Sequence, residues 1–163
     1  MCGGLRRIIL PQLSVETSNA PTTTCATLTE FKNEMYGTFG TAVHVYNNST
    51  DTWGSSVNTL NNTATDAKQG LVGGVETLAI ATGSEVHYAT NSSTWAVNTT
   101  DVKYLVFWKD LLWGIDEAGQ MYYTDNLSSG WSTDARLQLP DDYVTGLVVS
   151  RRADGEEAIY AAT

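Results

Sequence analysis

The chain has 163 residues, 42% of them hydrophobic, which is enough for one domain with a buried core and excludes a disordered chain. Only 17% are charged, and nine Lys and Arg against eighteen Asp and Glu leave a formal net charge of −9. That balance opposes the clustered positive charge needed to grip a phosphate backbone or an anionic lipid surface, so neither a nucleic-acid partner nor membrane insertion is expected.

Residues 1–24 open as MCGGLRRIILPQLS. The apolar run Ile8-Ile9-Leu10 stops at Pro11, short of the roughly 7–15 residues of a signal peptide and the roughly 20 of a membrane span. Gly is not the second residue, so a myristoylation start does not fit. Cys2 and Cys25 are the two cysteines, and no CxxC or Cys/His cluster supports a zinc site. A disulfide between them and two free thiols both stay open.

From residue 25 the chain aligns with itself. FKNEMYG at 31–37 matches WKDLLWG at 108–114, and GGVETLAIATG from 73 has the same shape. Residues 26–36 contain helix formers, but the register with WKDLLWG favours strands. Further on, Tyr46 precedes Trp53 by seven residues, Tyr88 precedes Trp95 by seven and Tyr123 precedes Trp131 by eight. A short alternating segment leads into each Tyr (AVHVY, EVHY, QMYY), after a Gly-containing turn (TFGT, ATGS, DEAG). In the third copy the predicted strands are 103–108, 111–116, 120–125 and 131–139, with tight turns at Lys109-Asp110 and Glu117-Ala118-Gly119. A fourth copy, VTGLVVSRRADGEEAIYAAT, supplies two strands around Ala153-Asp154-Gly155.

Four strands in a repeat of about 35–42 residues is the signature of a propeller blade. The chain therefore resembles β-propeller repeat proteins. VYNNSTDTW resembles the Tyr-to-Trp part of a kelch repeat, and YATNSSTW and YTDNLSSGW resemble the strand-turn-Trp part of sialidase-type repeats. Two departures accompany this resemblance. The doublet Gly73-Gly74 is read as part of its copy's first strand rather than the end of a second, and the sialidase-type Asp and Gly positions hold other residues. The resemblance implies an all-β fold of four-stranded antiparallel blades, at 25–66, 67–100 and 101–140, with an incomplete one at 141–163. RRIILP at 6–11 resembles ARLQLP at 135–140, so the N-terminal segment is read as a contributor of an outer strand. The count does not close a ring. A part of a larger propeller, two copies completing one ring and a compact four-blade ring are the three readings.

The search for chemistry yields little. His44 lies two residues before its Tyr and His87 one before, so alternation along a strand places the two imidazoles on opposite sides of their sheets. The acids Asp101, Asp110, Asp116, Glu117, Asp141, Asp142, Asp154, Glu156 and Glu157 fall mostly in predicted turns, where Asp suits the local backbone. No calcium-loop, phosphate-loop or dinucleotide motif is present, and no cofactor is expected. The recurrent Tyr and Trp anchors point to packing between repeats. Trp108 and Trp113 are less bound by the pattern and are candidates for stacking on a sugar or a partner aromatic. Arg151 and Arg152, in the fourth turn, are candidates for a partner contact, beside acids that can pair with them. Asn-x-Ser/Thr sequons at Asn47, Asn48, Asn61, Asn91, Asn98 and Asn126 are read as a consequence of composition.

The expected role is a non-catalytic interaction or assembly module, adhesive or structural, whose partner is another protein or a second copy completing the ring; a glycan is a further class the aromatics admit. Low Lys and abundant Thr, Asn and Ser resemble exported bacterial surface proteins and viral or phage appendage proteins, which implies an extracellular or virion-associated place. A carbohydrate hydrolase with a central site is the alternative, and an intracellular kelch-like adaptor the third.

Overall fold

The computed structural model describes residues 21–133 and 144–163, which contain strands and one short 3₁₀ turn. The first sheet holds β1 (Cys25–Phe31), β2 (Glu34–Phe39), β3 (Ala42–Asn47) and β4 (Thr52–Thr59), in spatial order. The second holds β5 (Asp66–Val72), β6 (Val75–Ala81), β7 (Val86–Ala89) and β8 (Trp95–Asn98). The third holds β9 (Tyr104–Trp108), β10 (Leu111–Ile115), β11 (Met121–Thr124) and β12 (Ser132–Thr133). The fourth pairs β13 (Gly146–Arg151) with β14 (Glu157–Ala162). All pairing is antiparallel. The fold is all-β, and the described residues form three four-stranded antiparallel sheets and a two-stranded one. The suggested strands at 6–11 and 135–140 lie outside the described residues, as do Cys2, Asp141 and Asp142.

The helix alternative over 26–36 is settled in favour of strands by the local chemistry. Lys32-Asn33 and Lys109-Asp110 both take positive φ, at 52° and 62° and at 51° and 62°. Two successive left-handed residues form the tight hairpin turn whose twist matches the flanking strands. The second sheet makes the same turn with Gly73 (φ 55°) and Gly74 (φ 77°). This corrects the sequence reading of the doublet as part of a first strand: it is the turn between β5 and β6, equivalent to Lys32-Asn33. Glycine reaches positive φ at no steric cost. A side chain on Gly73 would also meet the Asp125 carbonyl oxygen at 2.6 Å.

The first strands lie side by side in chain order, β1 against β5, β5 against β9 and β9 against β13. Among the described residues no comparable contact joins β13 to β1. Each sheet thus packs one face on the next sheet. Phe31, Tyr36 and Val43 meet Ala67, Leu78 and Ile80 between the first and second sheets. Val72, Ala79, Ala81 and Val86 meet Leu105 and Leu112 between the second and third. Val106, Ile115 and Met121 meet Leu147, Val149 and Ile159 between the third and fourth. Polar staples cross these layers. Leu105 N donates to Asp66 Oδ2 at 2.9 Å, Thr65 Oγ1 to the Lys103 carbonyl at 2.6 Å, and Gly74 N to Asp110 Oδ1 at 2.9 Å.

Candidate functional site

Among the described residues two sheet faces end the stack, and they differ in chemistry. On the first sheet, strand pairing puts Leu28, Glu30, Met35, Gly37, His44, Tyr46 and Trp53 on the side turned away from the second sheet. Trp53 lies over Gly37, where an added Cβ would meet its Cη2 at 2.7 Å. Its ring stacks edge-on against Phe39 (4.9 Å) and Tyr46 (5.3 Å), and Phe39 in turn meets His44 at 5.7 Å. The His44 ring nitrogen Nδ1 is 2.7 Å from the Gly54 carbonyl. Tyr46 donates its phenol proton to Asp51, and that bond, ahead of desolvation, raises the phenol pKa. Beside these aromatics Leu28 is 55% and Met35 41% exposed, so the face is open. They border a groove of about 420 Å³ with Glu30 and Glu34 on its rim.

The opposite end is the outer face of the fourth sheet. Val148 and Tyr160 pair across β13 and β14 and are 55% and 44% exposed. At the turn beyond them Arg151 is 3.6 Å from Glu157 and Arg152 is 3.3 Å from Asp154, all four exposed. The pairing foreseen between these arginines and their neighbouring acids is present.

The repeat shows what an open face normally meets. Trp95 belongs to the side of the second sheet that faces the first, and its ring meets Tyr36 at 6.4 Å, edge to face. Trp131 packs into the core between the second and third sheets, next to Gly114. Two of the three anchor tryptophans therefore serve inter-sheet packing, and the third, Trp53, sits on the uncovered side. Sequence reasoning found the anchors and missed this asymmetry.

The histidines require a correction. His87 faces the first sheet, 3.2 Å from Asn58 Nδ2 and 3.3 Å from Glu85, and His44 lies on the corresponding side of its own sheet. The two imidazoles share a sense of orientation. It is the anchor tyrosines that differ: Tyr46 faces Trp53, whereas Tyr88 packs against the core shared with the third sheet. The histidines remain on separate sheets, and among the described residues no cluster of metal-ligating side chains occurs. Burial lowers the His87 pKa, with Glu85 opposing the shift.

Trp113 packs into the third core and meets Tyr123 at 5.1 Å and Trp108 at 6.0 Å, while Lys109 Nζ lies 4.3 Å from the Trp108 ring centre. Its indole donates to the Trp108 carbonyl at 3.3 Å. The turn acids bind their own surroundings. Asp116 accepts from Gln120 N and from Tyr122, whose phenol is pushed up to about 12, first by burial and then by that bond. Glu117 pairs with Lys103 at 2.8 Å. Three sequon asparagines have a shared structural role that composition did not reveal. Asn47, Asn91 and Asn126 each accept the backbone N–H two residues on, at 2.9, 2.9 and 3.1 Å, closing the same turn before each anchor Trp.

No protein-family model matches the sequence, and no curated protein matches it. Solved structures do. The chain is similar to the computationally designed Ika4 protein (13% identity, TM-score 0.59), covering 88% of this chain and 94% of that one. It is similar to the designed Ika8 protein (12% identity, TM-score 0.52), of which it spans 47% while 88% of this chain is covered. It is also similar to the extracellular domain of a hybrid two component system from B. thetaiotaomicron, at 15% identity and TM-score 0.63. There the match covers 86% of this chain but only about a fifth (19%) of the other. At these identities the likeness is one of fold.

Proposed function

We propose that the chain is a β-propeller segment acting as a non-catalytic interaction and assembly module, with the outer face of its first sheet as the contact surface. The observation that carries the reading is the open face itself. It has the Trp-bearing pattern that the second and third sheets bury against a neighbour, yet it exposes Leu28 and Met35 beside an aromatic cluster. Aromatic rings with polar tips and an exposed Met are the composition of an interface core. The radial reading draws support from four first strands packed in succession. A place outside the cell accords with the low-Lys, Asn/Thr-rich texture, and two of the similar structures are an extracellular domain and PorZ, a surface component of the Porphyromonas gingivalis type-IX secretion system (TM-score 0.53). Among the described turn acids Asp116 is engaged by Gln120 and Tyr122, Asp110 by Gly74, Glu117 by Lys103 and Asp154 by Arg152, and no observation favours the hydrolase alternative.

The test is the reactivity of the face. In a chain carrying Cys2→Ser and Cys25→Ser, Met35→Cys is labelled with a maleimide at low and at high protein concentration. Labelling that slows several-fold as concentration rises supports assembly through this face. Equal, fast labelling at both concentrations rejects it.

A further inference from the structure

Resting on that reading, we infer that the occupant of the open face is a second copy of this chain, docked head to tail, so that Tyr160 of one copy meets Trp53 of the other. The argument is one of equivalent positions. Tyr36 pairs with Thr29 on the side of the first sheet turned toward its successor, and there it meets Trp95 of the second sheet. Tyr160 pairs with Val148 in the same place on the fourth sheet, on the side turned away from the third. Trp53 lies on the fourth strand of the first sheet, as Trp95 does in the second, and on the same side of its sheet, the one turned away from the next sheet; Trp53 pairs with Tyr46 and Trp95 with Ala89, two residues apart in register. The surface that Tyr160 would meet by continuing the repeat is thus the surface the first sheet leaves open.

The first-hairpin turn of the fourth sheet lies at the same end of its sheet as Lys32-Asn33 does in the first, so continuing the repeat keeps the two hairpins in the same sense. Among the described residues a single chain does not satisfy the contact itself, because Tyr160 and Leu28 are both exposed and β13 makes no comparable contact with β1. Solved chains of similar fold exist both at this extent, matched over 94% of their length, and at about twice it, matched over 47%. A heterologous contact of this kind closes when its rotation completes a circle.

The experiment uses the full chain with Cys2→Ser and Cys25→Ser. Leu28→Cys and Val148→Cys are made singly and together, treated with a short bis-maleimide, and the mass is followed in parallel. The single variants, mixed, are expected to give a covalent two-chain product, while neither alone does. Tyr160→Ser, an exposed position where the fold survives, is expected to weaken association about thirtyfold, as truncation of a central aromatic anchor does. Cross-links only between like faces would overturn the head-to-tail arrangement and leave the assembly reading intact. A cross-link within a single chain of the double variant would overturn the second copy in favour of internal closure. A monomer without any cross-link would overturn both.

Discussion

Gly37 and Gly114 occupy the same place, four residues beyond the last residue of a matching hairpin turn, and each lies under a tryptophan. The two faces nevertheless have different fates. Around Gly114 the third sheet buries Val102, Leu105 and Leu112 completely against the second sheet. Around Gly37 the first sheet presents Leu28, Met35, His44 and Tyr46 to the outside. A tryptophan laid over a glycine is therefore a device internal to one sheet and needs no neighbour. What marks a permanently covered face is its aliphatic complement. The open face carries, beside the exposed Leu28 and Met35, the polar-tipped rings of Trp53, Tyr46 and His44, which tolerate water when alone and lose little conformational entropy on being covered.

The largest expected contrast uses the aliphatic positions. Leu112→Ala, in the covered interface, lowers unfolding free energy by about 2–5 kcal/mol, whereas Leu28→Ala on the open face stays within about 0.5 kcal/mol; urea denaturation of the two variants measures both. Measured at a concentration low enough to keep the chain a monomer, equal losses would show that the first sheet's face is covered within the chain itself. The next contrast is steric. Gly70→Ala places a Cβ 2.4 Å from Phe107 Cγ and 2.6 Å from its Cβ, an overpacking that costs about 1–3 kcal/mol. Gly37→Ala meets only the far edges of the Trp53 and Phe39 rings, which can swing outward, so thermal unfolding separates the two substitutions.

Smaller effects sharpen the comparison. Asn126 caps the 3₁₀ turn Leu127–Ser129 by accepting from Ser128 N, and Asn126→Ala costs about 1 kcal/mol on the scale of a lost cap. The smallest effect is expected from His87, at the join of the first two sheets. Burial lowers its pKa, so the unfolded chain binds the proton more readily than the folded one. Stability is then constant above the ordinary His pKa of about 6.5 and declines as pH falls below it. Melting temperatures between pH 7 and 5 check this, and His87→Gln flattens the trend. A melting temperature that rises on acidification would contradict the neutral, buried imidazole.

Much of the architecture was legible because the turn chemistry is local. Lys32-Asn33 and Lys109-Asp110 announce their hairpins, and the repeated Tyr and Trp fix the period. The middle copy misled because Gly73-Gly74 has no side chain to align, so its turn was read as strand. Orientation was the harder quantity. Tyr46 and Tyr88 sit at matching distances from their tryptophans yet face opposite ways, and counting residues between aromatics cannot see a register shift such as those between β3 and β4. The contact surface was illegible for a different reason. Trp53 has the same sequence surroundings as Trp95 and Trp131, and only the packing shows that, among the described residues, it alone has no sheet beyond it. Of the site residues foreseen, Trp113 joins the core, Trp108 stacks beside it, and Arg151 and Arg152 belong to the exposed tail.

The most direct measurement is the mass of the unmodified chain in solution, by light scattering at a low and a high concentration. The account predicts a closed assembly of two 17.7 kDa chains that dissociates on dilution. A folded single chain at both concentrations, with the Leu28 and Met35 face still open, would contradict it.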